Sequence, residues 1–370
     1  MQINLSRGDL FEGLKNIQTI VEKRTTLPIL NNFLLSAQGN TIEISATDLE
    51  IEYKGSYPAK VLNPGSTVIP TRKSFEIVRE IIGTNISLST EENRVKIESG
   101  KSIFKIPSLP SEEFPKFIVK KPSLSFDLEI KTIKDMITKT IFATSQEETR
   151  SPLSGVLFSL RPKNISMVST DGYRLAFIKR ELDIPGLEKD VDVVVPRKAL
   201  LEVRKIFGDS KENLVLGFKE NGIIFKGENA IISCRLLEGD FPDYKQGIPE
   251  RTEKRVIIKR EDFSLALRRV SLLSDEESKL FTIKFRPNKI ELLSRTPELG
   301  EAYDEIEVNY AGEEVDICFN ARYLMEGVST FEEEYISFDL QEGTTAMIIR
   351  PLEDKDSFNV VMPMSIEQNY

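Results

Sequence analysis

Four kinds of segment return three times in the same order along the 370 residues, at a spacing of roughly 120–126 positions. A long period of this kind constrains the fold more than any composition can, because each copy must be a structural unit. Every unit starts with an amphipathic helix: Leu5 to Arg24, Ile130 to Ser145 and Lys259 to Ser274. Leu10, Leu14, Ile17 and Val21 recur at the helical interval in the first, and Phe263, Leu267, Val270 and Leu273 in the third. An extended apolar run follows and is predicted as strand: Leu27 to Leu35, Leu153 to Leu160, Leu280 to Phe285. Then comes a strand-turn-strand passage around a small polar cluster: Ala46-Thr47-Asp48-Leu49-Glu50, Ser169-Thr170-Asp171-Gly172-Tyr173 and, more loosely, Ser294-Arg295-Thr296-Pro297-Glu298. Thr47 and Thr170 are 123 positions apart, Thr170 and Thr296 126. A short strand entering a second helix completes the set at Val68 to Lys73, Val194 to Lys198 and Cys318 to Arg322. Alternating strands with turns such as Asn221-Gly222 and Glu342-Gly343 lie behind it. Phe-Pro elements, Leu109 to Pro115 and Leu237 to Tyr244, close the first two units.

Four elements in one order, three times over, point to three tandem copies of one α+β domain. Each copy holds two helices packed on antiparallel sheet, with about eight strands. The copies are expected at residues 1–118, 125–248 and 255–370, joined by polar linkers at Lys116 to Ser125 and Pro249 to Lys254. At about 120 residues each is large enough to close a core of its own.

The sequence has no histidine. That removes Ser-His-Asp and Cys-His catalysis, HExxH metalloproteases and histidine-ligated metals. Cys234 and Cys318 lie far apart and form no CxxC, so neither a disulfide framework nor a zinc site is expected. Gly100-Lys101-Ser102 imitates the end of a phosphate loop, but the glycine required five positions earlier is Val95 and the segment reads as a hairpin. Asp48 and Asp171 recur, a pattern also found in carboxylate and metal sites, yet each follows a strand at a turn position. The acidic clusters Asp275 to Glu277 and Glu332 to Glu334 lack EF-hand spacing and read as solvated surface. No apolar run reaches the roughly 18 residues of a membrane helix, and Met1 to Arg7 lacks a signal peptide's basic and apolar regions. With 40% hydrophobic and 29% charged residues, a soluble cytoplasmic protein with no cofactor, no metal and no catalytic constellation is expected.

The formal net charge of −9 argues against a nucleic-acid partner only until its distribution is examined. The six predicted helices carry 19 cations and 10 anions, and the rest of the chain 31 and 49. In residues 196–207, Arg197, Lys198, Arg204 and Lys205 fall on one stripe opposite Leu200, Val203 and Phe207. On any single helix such charges are equally the mark of a solvated face. Helices facing one way would merge them into a basic surface suited to phosphate backbone, without aromatic platforms for bases.

These residues carry a family resemblance over the full length. RTTLPIL (Arg24 to Leu30), ATDL (Ala46 to Leu49), STDGYRLA (Ser169 to Ala176), VPRK (Val195 to Lys198), FPDY (Phe241 to Tyr244), Phe319-Asn320 with Tyr323, and VVMPM (Val360 to Met364) together resemble the bacterial DNA polymerase III β subunit, the sliding-clamp family. The resemblance implies a head-to-tail homodimeric ring with helices lining the hole and sheets outside. Such a ring encircles duplex DNA without regard to sequence and is a processivity factor rather than an enzyme. Implied partners are the polymerase III catalytic subunit, the clamp loader, and other polymerases and repair proteins that dock short motifs of the form Gln-Leu-x-Leu-Phe. A monomeric peptide-binding adaptor, and more remotely a carboxylate-metal hydrolase, are the alternatives.

Residue by residue, the resemblance places DNA contacts at Arg24, Arg72, Lys73, Arg79, Arg197, Lys198, Arg204 and Lys205. It places the dimer interface at Phe104 and Ile106 against Leu272 and Leu273, with Lys73 near Glu298 or Glu301. The peptide groove takes Leu153, Thr170, Gly172, Tyr173, Arg174, Leu175, Pro242, Tyr323, Thr345, Val360, Met362, Pro363 and Met364. Simple core packing is the competing role for Leu153, Leu175, Val360 and one of Leu272 and Leu273. The chain departs from the family at Tyr173, Pro152 and Gly247, and in the six residues Ser365 to Tyr370 beyond Met364. Removing Val360 to Tyr370 is expected to abolish polymerase stimulation and leave the dimer intact.

Overall fold

A computed structural model describes residues 1–21, 27–115, 121–147, 152–208, 212–249, 254–275, 279–340 and 346–364. Arg24, Thr345, the Glu342-Gly343 turn, most of the Asp275 to Glu277 cluster and the Ser365 to Tyr370 extension fall outside them, as do parts of both linkers. Six α-helices lie among the described residues: α1 Arg7–Ile17, α2 Thr71–Glu80, α3 Ile130–Thr140, α4 Arg197–Phe207, α5 Arg260–Val270 and α6 Ala321–Ser329. They are the two helices per repeat that the apolar periodicity predicts. Leu10, Leu14 and Ile17 of α1 and Phe263, Leu267 and Val270 of α5 are buried as expected. The periodicity overruns at Leu273, which is only half-buried because α5 ends at Val270 and tightens into a 3-10 turn over Ser271–Leu273. Ser6 and Asn320 cap α1 and α6 by accepting from backbone N–H groups of the first turn. The apolar run at Leu27 does not start as strand. Pro28 has no N–H for a ladder, so Pro28–Asn31 forms a 3-10 turn and the strand begins at Asn32.

The chain forms two compact units, Met1–Lys134 with Lys198–Leu236, and Asp135–Arg197 with Leu237–Tyr370. In the first, a five-stranded sheet runs in the order Lys60–Asn63, Gln2–Ser6, Asn85–Glu91, Arg94–Ser99, Ser102–Pro107. Its eight-stranded sheet runs Leu124–Glu129, Asn213–Lys219, Gly222–Lys226, Ala230–Arg235, Ile51–Pro58, Thr41–Thr47, Asn32–Gln38, Gly65–Pro70. In the second unit the eight-stranded order is Val191–Pro196, Gly155–Arg161, Asn164–Thr170, Arg174–Glu181, Ser357–Val361, Met347–Pro351, Tyr335–Leu340, Lys254–Lys259. A four-stranded sheet there runs Gly300–Glu307, Lys289–Thr296, Leu280–Arg286, Val315–Asn320. Neighbouring strands are antiparallel.

The repeats therefore do not each close a separate sheet and core, as the sequence alone suggests. Both eight-stranded sheets cross a repeat junction: Cys234 pairs with Ile51 in one, and Val360 with Leu175 in the other. One core belongs to the third repeat, around Phe263, Phe285, Phe319 and Phe338. Another joins Leu157, Val168, Leu175 and Val194 of the second repeat to Ala346, Ile348, Phe358 and Val360 of the third. The closing strand of the second repeat and that of the third each pair with a strand of the repeat before, which satisfies the backbone edge there.

The details bear the repeat out. Leu109 bridges Val68 in the first repeat and Leu237 bridges Val194 in the second, so both Phe-Pro elements start from one docking position. Ser169 Oγ donates to the Thr140 carbonyl at the end of α3, and Ser294 Oγ to the Val270 carbonyl at the end of α5. Asp48 and Asp171 are turn residues: each Oδ1 accepts two backbone N–H groups, from Glu50 and Ile51 and from Tyr173 and Arg174. Gly100, at φ +61°, turns the hairpin between Arg94–Ser99 and Ser102–Pro107, so the Gly-Lys-Ser sequence is not a phosphate loop. Among the described residues no helix is long and apolar enough to cross a membrane, and no acidic, cysteine or histidine cluster could hold a metal. Burial pushes the Cys234 thiol up to about 12, which makes it inert.

Candidate functional site

A cavity of about 190 Å³ opens where Arg174–Glu181 meets Ser357–Val361. Its floor is apolar because Leu175 and Val360, opposite each other in the ladder, are both core residues, 6% and 1% exposed. Met362 continues past the strand into the lining, held by its N–H to the Tyr173 carbonyl at 2.8 Å. Seven predicted residues line the cavity: Thr170, Gly172, Arg174, Leu175, Pro242, Val360 and Met362. Asp243, Tyr244 and Gly247 join them. The first two were within reach of the sequence, since they complete the FPDY motif from which Pro242 is taken. At Gly247 an added Cβ would meet Met362 Cε at 3.7 Å, an ordinary contact, so the missing side chain widens the groove.

The turn supplies the rest. Thr170 Oγ1 donates to the Arg174 carbonyl at 2.7 Å and accepts from Gly172 N at 3.1 Å. Gly172 takes φ +93°, a conformation a β-carbon would strain. Arg174, only 5% exposed, holds this turn to its surroundings. Its Nε donates to Asp171 Oδ2 at 3.1 Å, Nη2 to the Phe142 carbonyl at 2.7 Å, and Nη1 to Glu326. The guanidinium lies over the Tyr323 ring, 4.6 Å from its centroid, and Tyr323 stacks on Tyr173 at 6.2 Å. Burial would raise the Glu326 carboxyl, but Arg322 and Arg174 outweigh it and hold the pKa below the ordinary value. Burial raises both the Tyr323 and Tyr244 phenols. Tyr173, 46% exposed, forms a rim rather than a wall. Leu153 stands outside the lining, with its carbonyl bound by Ser145 N–H at 2.8 Å. Pro363 and Met364 are half-buried beyond Met362, where Met364 N–H reaches the Cys318 carbonyl at 2.9 Å.

The helices keep their charge excess within the observed boundaries, 16 cations against 9 anions. The predicted basic stripe of α4 splits, however. Lys198 is drawn to Asp48, and Lys205 Nζ donates to Thr19 Oγ1 at 2.7 Å and the Asn16 carbonyl at 3.2 Å. Arg197 and Arg204, one face away, make no side-chain ion pair among the described residues. On α2, Arg72 and Lys73 share Glu76 at 3.0 and 2.8 Å, and Arg79 pairs with Glu80 at 2.9 Å. All three cations are exposed, and surface pairs of this kind are worth about 0–1 kcal/mol. They exchange readily for a phosphate.

At the outer edge of the five-stranded sheet Phe104 is half-buried and Ile106 buried, while Ile103, absent from the predicted set, is 57% exposed. Leu272 is 78% exposed, whereas Leu273 is half-buried and its carbonyl accepts from Thr296 Oγ1 at 3.0 Å. Glu298 is exposed, and Glu301 pairs with Arg295 at 2.9 Å.

Comparison with known proteins agrees along the whole chain. Residues 1–118, 127–243 and 245–365 match the N-terminal, central and C-terminal domain models of the DNA polymerase III beta subunit. A beta sliding clamp of Caulobacter vibrioides is 32% identical over 380 residues, covering 99% of this chain and 100% of that protein. The crystal structure of the Pseudomonas aeruginosa DNA polymerase III subunit beta superposes with a TM-score of 0.94 at 28% identity, covering 99% of this chain and 100% of that one. The sliding clamp of Bartonella birtlesii, solved bound to griselimycin, gives 0.95 at 29% identity and covers the same shares. Three tandem clamp domains fit a replication processivity factor rather than a catalyst, and the chain belongs to the bacterial DNA polymerase III beta subunit family, the beta sliding clamps.

Proposed function

We propose that two copies join head to tail into a closed ring around duplex DNA, and that the groove tethers polymerase and clamp loader to it. The supporting observation is a pairing rule. The last strand of the second repeat, Ala230–Arg235, pairs with Ile51–Pro58, which follows the Thr-Asp turn of the first. The last strand of the third, Ser357–Val361, pairs with Arg174–Glu181, the corresponding strand of the second. By the same rule Ser102–Pro107 of the first repeat needs the equivalent strand of a preceding repeat, and Gly300–Glu307 of the third needs a following one. Both are outer strands with no further strand partner among the described residues. A second copy satisfies both at once: Ser102–Pro107 of each chain meets Gly300–Glu307 of the other, and the pairing rule then holds at every repeat junction. Phe104, Ile106, Leu272 and Leu273 supply apolar contact there, with Lys73 meeting Glu298 or Glu301. The domain boundaries 1–118, 125–248 and 255–370 follow the same unit.

Within the ring Arg24, Arg72, Lys73, Arg79, Arg197 and Arg204 face DNA. Lys198 and Lys205 contribute field rather than contact, being held by Asp48 and by Thr19 and Asn16. The contacts are sequence-independent and salt-sensitive, which permits sliding. Retention comes from enclosure. Short Gln-Leu-x-Leu-Phe segments of the polymerase III catalytic subunit, the clamp loader and other polymerases and repair proteins lie over Leu175, Val360 and Met362, where the thioether adapts to different side chains. Thr345 and Leu153 border the groove, and the protein acts in the cytoplasm.

Retention on DNA is the test. At moderate salt the protein, loaded onto closed circular duplex, stays bound through gel filtration and is lost once the circle is linearised. Equal retention on both forms overturns the ring. The groove has no histidine, and its displaced groups move away from neutrality, Tyr244 and Tyr323 upward and Glu326 downward. Affinity for an acetylated, amidated Gln-Leu-Ser-Leu-Phe peptide, read by calorimetry, should therefore stay flat from about pH 6 to 9. The Arg174–Glu326 anchor forms with an ionised carboxylate of depressed pKa. Its contribution is complete above the ordinary value of 4.5 and is lost as pH falls through the lower folded value.

A further inference from the structure

The turn that builds the groove has a counterpart in the other compact unit. Thr47 Oγ1 donates to the Ile51 carbonyl at 2.8 Å and accepts from Leu49 N at 2.9 Å, while Asp48 Oδ1 accepts from Glu50 N and Ile51 N at 3.0 and 2.7 Å. These are the four bonds of Thr170 and Asp171. Ile51 thus corresponds to Arg174, and Glu52 to Leu175. The strand ladder agrees, because Glu52 lies opposite Ser233 as Leu175 lies opposite Val360. Over this junction too a cavity opens, of about 430 Å³.

The frame is the same and the chemistry is reversed. Where one groove has Leu175, Val360 and Met362, the other has Glu52, Ser233 and Arg235, with Lys219 beside them. The Glu52 side chain is half-buried and takes part in no hydrogen bond or ion pair among the described residues. Lys219 Nζ donates to Ser233 Oγ at 3.0 Å and has no carboxylate within ion-pair distance among the described residues. Burial raises the Glu52 carboxyl while Lys219 and Arg235 act against it, so the opposite charges sense each other without closing into a pair. A lone anion in this cavity meets Glu52, and a lone cation meets Lys219 and Arg235. Only a ligand that presents both signs side by side satisfies the cavity.

We propose that this cavity is a second recognition groove, which takes a short peptide segment carrying adjacent basic and acidic side chains. The basic group lies against Glu52, the acidic group against Lys219 and Arg235, and the rim carboxylates Glu50 and Glu220 favour the basic end.

The test uses the full-length protein and fluorescence anisotropy of labelled hexapeptides, Gly-Ser-Lys-Glu-Ser-Gly and Gly-Ser-Glu-Lys-Ser-Gly, against an all-polar control in which serine replaces both charges. At low salt one of the charged peptides binds about tenfold tighter than the control or better. Glu52→Gln and Arg235→Gln each remove most of that difference, while unlabelled Gln-Leu-Ser-Leu-Phe leaves the charged peptide in place. Glu52→Gln is nearly isosteric, so loss of binding in that variant does not report misfolding. Equal affinity for charged and control peptides, unchanged binding in both variants, or displacement by the apolar pentapeptide overturns the proposal. None of these results bears on the ring or on the apolar groove, which the circular-DNA and pentapeptide experiments read separately.

Discussion

Leu272→Asp is expected to turn the proposed assembly of about 84 kDa, twice the 42.0 kDa of one chain, into a 42 kDa monomer that no longer stays on circular DNA. Leu272 is 78% exposed in the single chain, a high value for a leucine that neighbours a sheet edge. Covering such a side chain is worth about 1.5–3 kcal/mol, and a carboxylate forced into the covered site without a partner costs more. A closed ring of two copies contains the contact twice, so even the apolar loss alone amounts to about 4 kcal/mol, roughly a thousandfold in the dissociation constant. Sedimentation equilibrium over a dilution series reads the change. Leu352→Asp is the control: that leucine is 38% exposed and follows Met347–Pro351, a strand with neighbours on both sides in the eight-stranded sheet, so its variant should keep the mass of the dimer. A Leu272→Asp protein that remains at 84 kDa would remove the pairing of Ser102–Pro107 with Gly300–Glu307 as the basis of assembly.

The second large effect concerns the groove, and the position of the substitution matters. Removal of Val360 to Tyr370 is not the clean experiment that the sequence suggests, because Val360 and Val361 are each 1% exposed and sit in a strand with neighbours on both sides. Their loss opens the core beneath the groove and unfolds the sheet that carries it. Met362 is the first residue beyond that strand; it is half-buried and lines the cavity. Met362→Asp places a carboxylate among Leu175, Val360 and Pro242, and should weaken Gln-Leu-Ser-Leu-Phe binding about thirtyfold or more, a loss of about 2 kcal/mol. Ring mass and retention on circular DNA stay as in the parent, while primer extension by the replicative polymerase falls to the short products made without a clamp. Tyr173→Ala removes only the rim stack on Tyr323 and costs less, about 0.5–1.5 kcal/mol. Unchanged peptide affinity in Met362→Asp would locate partner binding elsewhere.

Much of the candidate groove was legible because its parts are local. The Thr-Asp turn bonds within five residues, and the VVMPM and FPDY segments each contribute neighbouring positions. Asp243 and Tyr244 belong to the FPDY segment and Gly247 stands out as a departure from the family, but it is the packing of that loop against Met362 and Phe177 that brings them to the cavity wall. Lys198 and Lys205 show the opposite failure. Helical spacing puts them on one stripe with Arg197 and Arg204, but Asp48, Asn16 and Thr19, at least 150 residues away in sequence, occupy their ammonium groups. Charge patterning reports which face a cation leaves the helix from and nothing about what awaits it.

Read alone, the chain of residues establishes a threefold repeat, the six helices with their apolar faces, the turn role of Asp48 and Asp171, and the separation of basic helices from acidic remainder. Each of these follows from interactions between residues a few positions apart, or from composition summed over a segment. Which strand edge meets which is a different matter, settled by backbone hydrogen bonds that carry no side-chain signature. Only the folded chain revealed that Cys234 lies opposite Ile51 and Val360 opposite Leu175, that two sheets run through the repeat junctions, and that Ser102–Pro107 and Gly300–Glu307 have no such junction partner among the described residues.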